Sequence, residues 1–173
     1  MLIETERLVI RPLDPDGDLA ALHRIGADPR VSGMMQSVAP DWTLAQAAEF
    51  LERSRWRGVI GFRHAIALRS APEAMIGTVG IGGKPVSTAY FLDPAHWGQG
   101  YATEALGAFL SVVMRHFGLV SVDAGHFADN PASGAVLRKV GFVETGRETG
   151  SSAARLEAAP IVNYRLDLTL LKA

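Results

Sequence analysis

The 173-residue chain contains no cysteine. Disulfides, thiolate metal sites and a cysteine nucleophile are therefore excluded, and the absence suits a reducing interior. Neither sign of charge is in excess: 17 Lys and Arg stand against 18 Asp and Glu, a net charge of −1. Non-specific nucleic-acid binding needs a basic excess, so no nucleic-acid partner is expected. No apolar run approaches the ~18 residues of a membrane span, so no membrane partner is expected either. The N-terminal MLIETERLVIRPL alternates charged and apolar residues, unlike the apolar block of a signal peptide. Internal repeats and low-complexity tracts are absent. The expectation is one soluble, cytoplasmic domain over residues 1–173, because this length fits one core and leaves little room for a second.

What is present alternates between strand and helix patterns. ERLVIRPLD (Glu6–Asp14) alternates and is rich in branched residues, which predicts a strand. A short helix follows with Leu19, Leu22 and Ile25 inward, capped by Asp16 or Asp18 and closed by Pro29. SGMMQSVAP reads as loop. DWTLAQAAEFLERSRWRG is an amphipathic helix with Thr43 as N-cap, a stripe of Leu44, Ala47, Ala48 and Leu51, and Gly58 at its end. Three strands are expected next: Gly61–Leu68, then Ala74–Gly82 after a turn at Ala71–Ala74, then Ser87–Asp93. A helix beginning about at Ala102 repeats Leu106, Phe109, Leu110, Val113 and Phe117, and Gly118 ends it. LVSVDAGHF reads as a strand, NPASGAVLRKVG as a short capped helix, and FVETGRE and IVNYRLDLTL as closing strands. TGSSAARLEAAP between them reads as a mobile loop of small residues. The order β-α-α-β-β-β-α-β-α-β-β implies a mixed central sheet with helices packed on it, α/β (α+β) in class.

The stretch HWGQGYATEA, His96 to Ala105, places two glycines at the mouth of a helix. The first amides of a helix have no intrahelical partner, and with the helix dipole they attract anions. Gly98 and Gly100 remove side chains there, so phosphate or pyrophosphate is the candidate ligand. An ordinary helix entry with turn glycines is the competing reading. A P-loop is excluded, since TVGIGGKP has Thr78 at its first glycine and Pro85 at its Ser/Thr. The dinucleotide fingerprint is a poor match, since GQGYAT has Thr103 at its third glycine.

Four stretches together resemble the GNAT superfamily of N-acetyltransferases, on its RimJ/RimL-like branch, whose named members acetylate N-terminal amines of ribosomal proteins. They are ETERLVIRPL, YFLDPAHWGQGYATEAL, NPASGAVLRKVGF and NYRLDL. The family's acetyl-CoA loop reads [RQ]-x-x-G-x-[GA]. Here it is Trp97 to Ala102, with Gly100 and Ala102 matching and Trp97 replacing the usual Arg or Gln. The resemblance implies the GNAT fold, with helices on both faces of the sheet. It also implies acetyl-CoA as co-substrate, its pyrophosphate held by backbone amides at Gly98, Gln99, Gly100, Tyr101, Ala102 and Thr103. The pantetheine arm would run along AYFLD, where that strand splays from VDAGHF. A free amide near Phe91 or Leu92 would then polarise the thioester carbonyl; a fully paired strand is the alternative.

Acetyl transfer to an amine needs positioning, an unprotonated amine, an oxyanion donor and a proton for the departing thiolate. Asn130 reads locally as an N-cap with Pro131 at the first helical position. The resemblance adds a cofactor contact for Asn130, and makes Ser133 the proton donor to sulfur. Arg138 and Lys139 could reach CoA phosphates or form a solvated face. Many relatives carry a Glu on the strand before the loop, but Ser87-Thr88-Ala89 stand there. The remaining candidates for the base are Asp93, His126, His96 and Glu104; shaping the turn before Pro94 is the alternative for Asp93, and complementing the helix dipole the alternative for Glu104. A base relayed through water is a further option. It suits an α-amine of pKa near 8 better than a lysine near 10.4. Trp42, Trp56, Met34 and Met35 line the acceptor entrance or fill core. No metal is expected. The expected function is direct acetyl transfer to a primary amine, of a protein N-terminus or a small molecule, by a monomer or homodimer. A non-catalytic acyl-CoA-binding module is the alternative, motivated by the missing Glu.

Overall fold

The computed structural model describes residues 1–39 and 41–167. Its centre is an eight-stranded sheet of order β1-β2-β3-β4-β5-β6-β8-β7. The strands are β1 (Ile3–Glu4), β2 (Leu8–Pro12), β3 (Phe62–Leu68), β4 (Ala71–Gly82), β5 (Ser87–Leu92), β6 (Ser121–Phe127), β7 (Val143–Gly150) and β8 (Ala159–Asp167). The helices are α1 (Leu19–Ala27), α2 (Pro29–Ser32), α3 (Leu44–Arg53), α4 (Tyr101–Phe117) and α5 (Pro131–Val140), with a 3₁₀ turn at Pro94–His96. All neighbouring strands are antiparallel except β5 and β6.

The pleat sends alternate residues to opposite faces, and each face carries its own helices. Leu8, Ile10, Phe62, Ile66 and Val79 pack with Leu106, Phe109, Leu110 and Val113 of α4 and Leu137 of α5. Ala65, Met75 and Phe91 pack on the other face with Leu22 and Ile25 of α1, Val31 of α2, and Ala47 and Leu51 of α3. Trp42 is buried in this second cluster, and Trp56 packs its ring against Phe62. Trp42 is therefore a core side chain, and half-buried Trp56 packs on the edge of the first cluster.

The structure corrects several local expectations. Residues Ile3–Glu4 add a short strand, and Pro29 opens the extra helix α2, its first-turn amide accepted by Asp28. Asp18 stands at the start of α1 without capping it, because its carboxylate is bound by Arg11 and the amide of Asp14. Thr43 and Gln46 form a full capping box at α3, but that helix ends at Ser54, short of Gly58, and Leu44 is exposed. Ala71–Ala74 lies within β4, so the hairpin turns earlier, at Arg69–Ser70. Helix α4 starts one residue early, at Tyr101. Residues 168–170 of the last expected strand lie outside the described residues. The small-residue loop is tied down: Ser152 Oγ donates to the Met35 carbonyl at 2.6 Å and Arg155 Nε to the Gly33 carbonyl at 3.0 Å.

The β5–β6 junction positions the site. Its ladder is confined to Ser87 opposite Asp123, beside one bond from the Asp123 amide to the Val86 carbonyl. Beyond that point the two parallel strands part.

Candidate active site

A cavity of about 1130 Å³ opens where β5 and β6 separate. Thr88–Leu92 and Ala124–Phe127 form its two walls, and the glycine loop and the start of α5 close one end. Arg30, Val31, Met34 and Met35 from α2 and its following loop border it from another side.

The glycine loop leaves bare backbone at the mouth of α4. Gly98 and Gly100 adopt φ of +73° and +81°, a left-handed backbone that favours glycine. Gly100 is the N-cap of α4 and offers no side chain to its first amides. The first intrahelical bond runs from the Glu104 amide to the Gly100 carbonyl. The amides of Tyr101, Ala102 and Thr103 thus remain available, and these residues line the cavity with Gly98 and Gly100. Trp97 braces the loop by donating its indole N–H to the Leu92 carbonyl at 2.9 Å. Gln99 is turned away: its carbonyl accepts from Arg7 at 2.9 Å, and its side chain binds the Ala95 carbonyl. Arg7 also stacks over the Tyr101 ring at 4.7 Å, a loop-fixing role for which its sequence gives no signal.

Asn130 caps α5, its side chain accepting from the Ser133 amide at 3.2 Å. Asn130 and Ser133 both line the cavity, as do Phe91 and Leu92. The Ser133 hydroxyl lies 2.8 Å from the Tyr90 hydroxyl, which is also 3.1 Å from the Ser133 carbonyl. Burial pushes the Tyr90 phenol up to about 12, against a lowering by Ser133. Tyr90 therefore stays protonated at neutral pH. Its part in the site follows from the strand separation and was not readable from sequence.

The candidate bases are placed differently. Asp93 does not line the cavity. Its carboxylate accepts from Arg24 at 2.6 Å and from the Ala95 amide at 3.0 Å. Burial raises its pKa, but the Ala95 amide and Arg24 together hold it below the usual carboxylate range. Glu104 accepts from Thr5 at 2.6 Å and from the Arg7 side chain and amide. Burial opposes these bonds, and the net pKa is again low. Both carboxylates are spent on ion pairs. His96 packs near Tyr101 with its Nδ1 buried and unpartnered. His126 does line the cavity, but Nδ1 donates to the Phe127 carbonyl at 2.7 Å. Its Nε2 abuts α5, where a Cβ on Gly134 would stand 2.6 Å away. Arg138 reaches inward to the Tyr164 hydroxyl at 3.0 Å, while exposed Lys139 lines the cavity. Three further charged residues line the cavity: Asp123, which is paired with Arg165 at 2.6 Å, Arg63, and exposed Glu148 of β7, whose carboxylate has no partner among the described residues.

A bare helix N-terminus thus stands at the end of a cleft between two parted parallel strands of a mixed sheet. The chain belongs to the GNAT acetyltransferase family: the profile of the acetyltransferase (GNAT) domain matches residues 7–143. It is 29% identical over 155 residues to the uncharacterized N-acetyltransferase YoaA of Bacillus subtilis (strain 168), covering 84% of each chain. Its fold matches that of a GNAT-family acetyltransferase from Bacillus anthracis with a TM-score of 0.81, at 21% identity over 98% of this chain and 99% of that one. The RimL ribosomal L7/L12 alpha-N-protein acetyltransferase, solved with coenzyme A, gives a TM-score of 0.78 at 16% identity, covering 97% of this chain and 98% of that one. The protein is thus an acetyltransferase domain. Among the described residues no helix is long and apolar enough to cross a membrane.

Proposed function

We propose that this domain transfers the acetyl group of acetyl-CoA directly to a primary amine, in the manner of the RimJ/RimL-like branch. The carrying observation is that the Ser133–Tyr90 hydroxyl pair and the bare start of α4 line one cavity. The residues fit the co-substrate: free amides at Tyr101–Thr103 suit a pyrophosphate, and the parted strands leave room for a slender arm. Structural neighbours solved with CoA, and with acetyl-CoA and AMP, support the same co-substrate. Acetyl-CoA supplies the activated acyl group when bound.

The chain's own residues do the rest. Phe91 and Leu92 on the unpaired edge of β5 orient the thioester. The amine nitrogen forms the new bond to the acetyl carbon as the carbon–sulfur bond breaks. Ser133 gives its proton to the departing thiolate and regains one from water, and Tyr90 supports the hydroxyl. The amine sheds its proton to water, since Asp93 and Glu104 are engaged elsewhere and His126 turns toward α5. A thiol-release assay with acetyl-CoA and a panel of amines, with product mass spectrometry, tests this reading. CoA release matched by an acetylated amine is expected; CoA binding with no turnover of any amine would leave a binding module.

A further inference from the structure

Arg63, at the start of β3, is a cation without a counterion. Its stem lies against Gly80, where a Cβ would come 2.5 Å from Arg63 Cγ. Its guanidinium lies between the rings of Phe50 at 5.6 Å and Phe91 at 5.5 Å. Nε donates to Thr78 Oγ1 at 3.3 Å, and Nη2 to the Ala89 carbonyl at 3.0 Å. An arginine carries five N–H donors. The rest, including both on Nη1, have no partner among the described residues, and no carboxylate pairs with this side chain. Burial lowers its pKa to about 10, so it remains charged at neutral pH. A half-buried cation without an anion is left uncompensated for its partial desolvation, and a Met would fill the space beside the two phenyl rings without that cost. Arg63 lines the cavity beside Ala89 and Phe91, on the β5 edge assigned to the thioester. Arg30, by contrast, is already paired with Asp28 at 2.6 Å.

The rim of the cavity at Met34, Met35 and Gln36 is tied to the loop between β7 and β8. Besides the Ser152 and Arg155 bonds to the Met35 and Gly33 carbonyls, the Ala153 amide donates to the Gln36 carbonyl at 3.1 Å. Both Nη atoms of Arg155 bind Asp129 at 2.9 Å. The bonds to Gly33, Met35 and Gln36 join the loop after α2 to the loop between β7 and β8, and the Asp129 pair ties that loop to the turn between β6 and α5. A polypeptide lying across this rim would have to part them, whereas a small molecule would not. Apolar Val31, Met34 and Met35 line the space beneath.

Building on the acetyltransferase reading, we propose that the acceptor is a small primary amine bearing a carboxylate, in the manner of an apolar amino acid, and that Arg63 holds that carboxylate. A planar carboxylate fits the guanidinium fork. A single cation between two phenyl rings balances a monoanion better than the dianion of a phosphate. Glu148, unpartnered in the same cavity, complements the ammonium of such a zwitterion.

The test measures kcat/KM with acetyl-CoA for apolar amino acids, each beside its amide and its aminophosphonate. Wild-type protein should favour the best amino acid over its amide by at least ~10-fold, about 1.4 kcal/mol. Arg63→Met should bring that ratio near one, and Arg63→Lys should restore part of it. A wild-type ratio near one, or a ratio unchanged in Arg63→Met, would overturn the proposal. So would preferred turnover of the aminophosphonates or of peptide N-termini. If Arg63→Met does not fold, the wild-type ratio decides alone. If no amine is turned over, the transferase reading fails separately. Calorimetric titration of the CoA complex with the same compounds then decides: tighter binding of the acids, lost in Arg63→Met, supports the anion site, and equal affinities sink it.

Discussion

The hydroxyls of Tyr90 and Ser133 meet at 2.8 Å, joining the free edge of β5 to the first turn of α5. Either hydroxyl can donate in this pair. When Tyr90 donates to Ser133 Oγ, the serine proton is free to point at the departing sulfur. General-acid contributions span about 10²–10⁴ in rate. Ser133→Ala should therefore lower kcat on the order of 100-fold, with the Kd for CoA within about threefold of wild type. Tyr90→Phe removes the support and keeps the acid, so its loss should be smaller, roughly tenfold. Because burial raises the Tyr90 pKa to about 12, the wild-type pH–rate profile should not fall on the alkaline side below about pH 11 from this pair. Initial-rate kinetics and calorimetry decide; an unchanged kcat in Ser133→Ala removes the serine from the chemistry.

Gly100 combines two constraints. Its φ of +81° strains any β-branched residue, and a side chain there would crowd the anion path beside Arg7, whose Nη2 lies 3.4 Å from the Cβ position. Left-handed backbone costs a non-glycine residue about 1–2 kcal/mol. Gly100→Val should lower the unfolding midpoint modestly and raise the Kd for CoA by at least ~10-fold. Affinity that survives this change would refute backbone capture of the pyrophosphate.

Legibility followed locality. Asn130, Gly118 and Gly141 mark helix ends because caps and left-handed turns are written in two or three adjacent residues. The glycine loop was readable for the same reason. Arg63 and Tyr90 were not, because their roles come from register. Gly80 lies opposite both Arg63 and Ala89, and only that pairing carries the guanidinium over to β5. Asp93 and Glu104 looked available in sequence because their partners, Arg24 and Arg7, are 69 and 97 residues away. The roof over the acceptor end was missed likewise, since Arg155 reaches Gly33 across 122 residues. A run of small residues suggested mobility, whereas one long side chain fixes the loop.

That anchoring makes Arg155 separable from the chemistry. Its guanidinium bonds Asp129 through both Nη atoms and stacks on Phe127 at 4.0 Å. Arg155→Ala should loosen the roof and raise the acceptor KM roughly 3–10-fold, as losing a charge-assisted contact of about 1 kcal/mol implies. CoA affinity should stay within about twofold, because the glycine loop lies at another part of the cavity. A change in CoA affinity as large as that in KM would mean that the loop supports the whole cleft rather than its acceptor end.

His64 gives the fold an acid-sensitive point within its core. The ring is fully buried against Phe62, Phe109 and Trp56. Its Nε2 donates to the Met1 carbonyl at 2.8 Å. Burial lowers its pKa to about 4, only partly opposed by that bond. An unfolded histidine titrates near 6.5. Between those values the unfolded chain binds more protons than the folded one, so stability must fall as pH drops from about 6.5 to 4. The loss should be on the order of 3 kcal/mol across that window. The depressed carboxylates, Asp93 and Glu104, add their own loss in the same direction, at the acid end of the range. Urea unfolding at pH 7, 5.5 and 4.5 should show this slope in the wild type. In His64→Leu the slope should flatten, even though the lost bond to Met1 lowers stability at pH 7. Parallel slopes in the two proteins would show that the acid sensitivity arises from other groups.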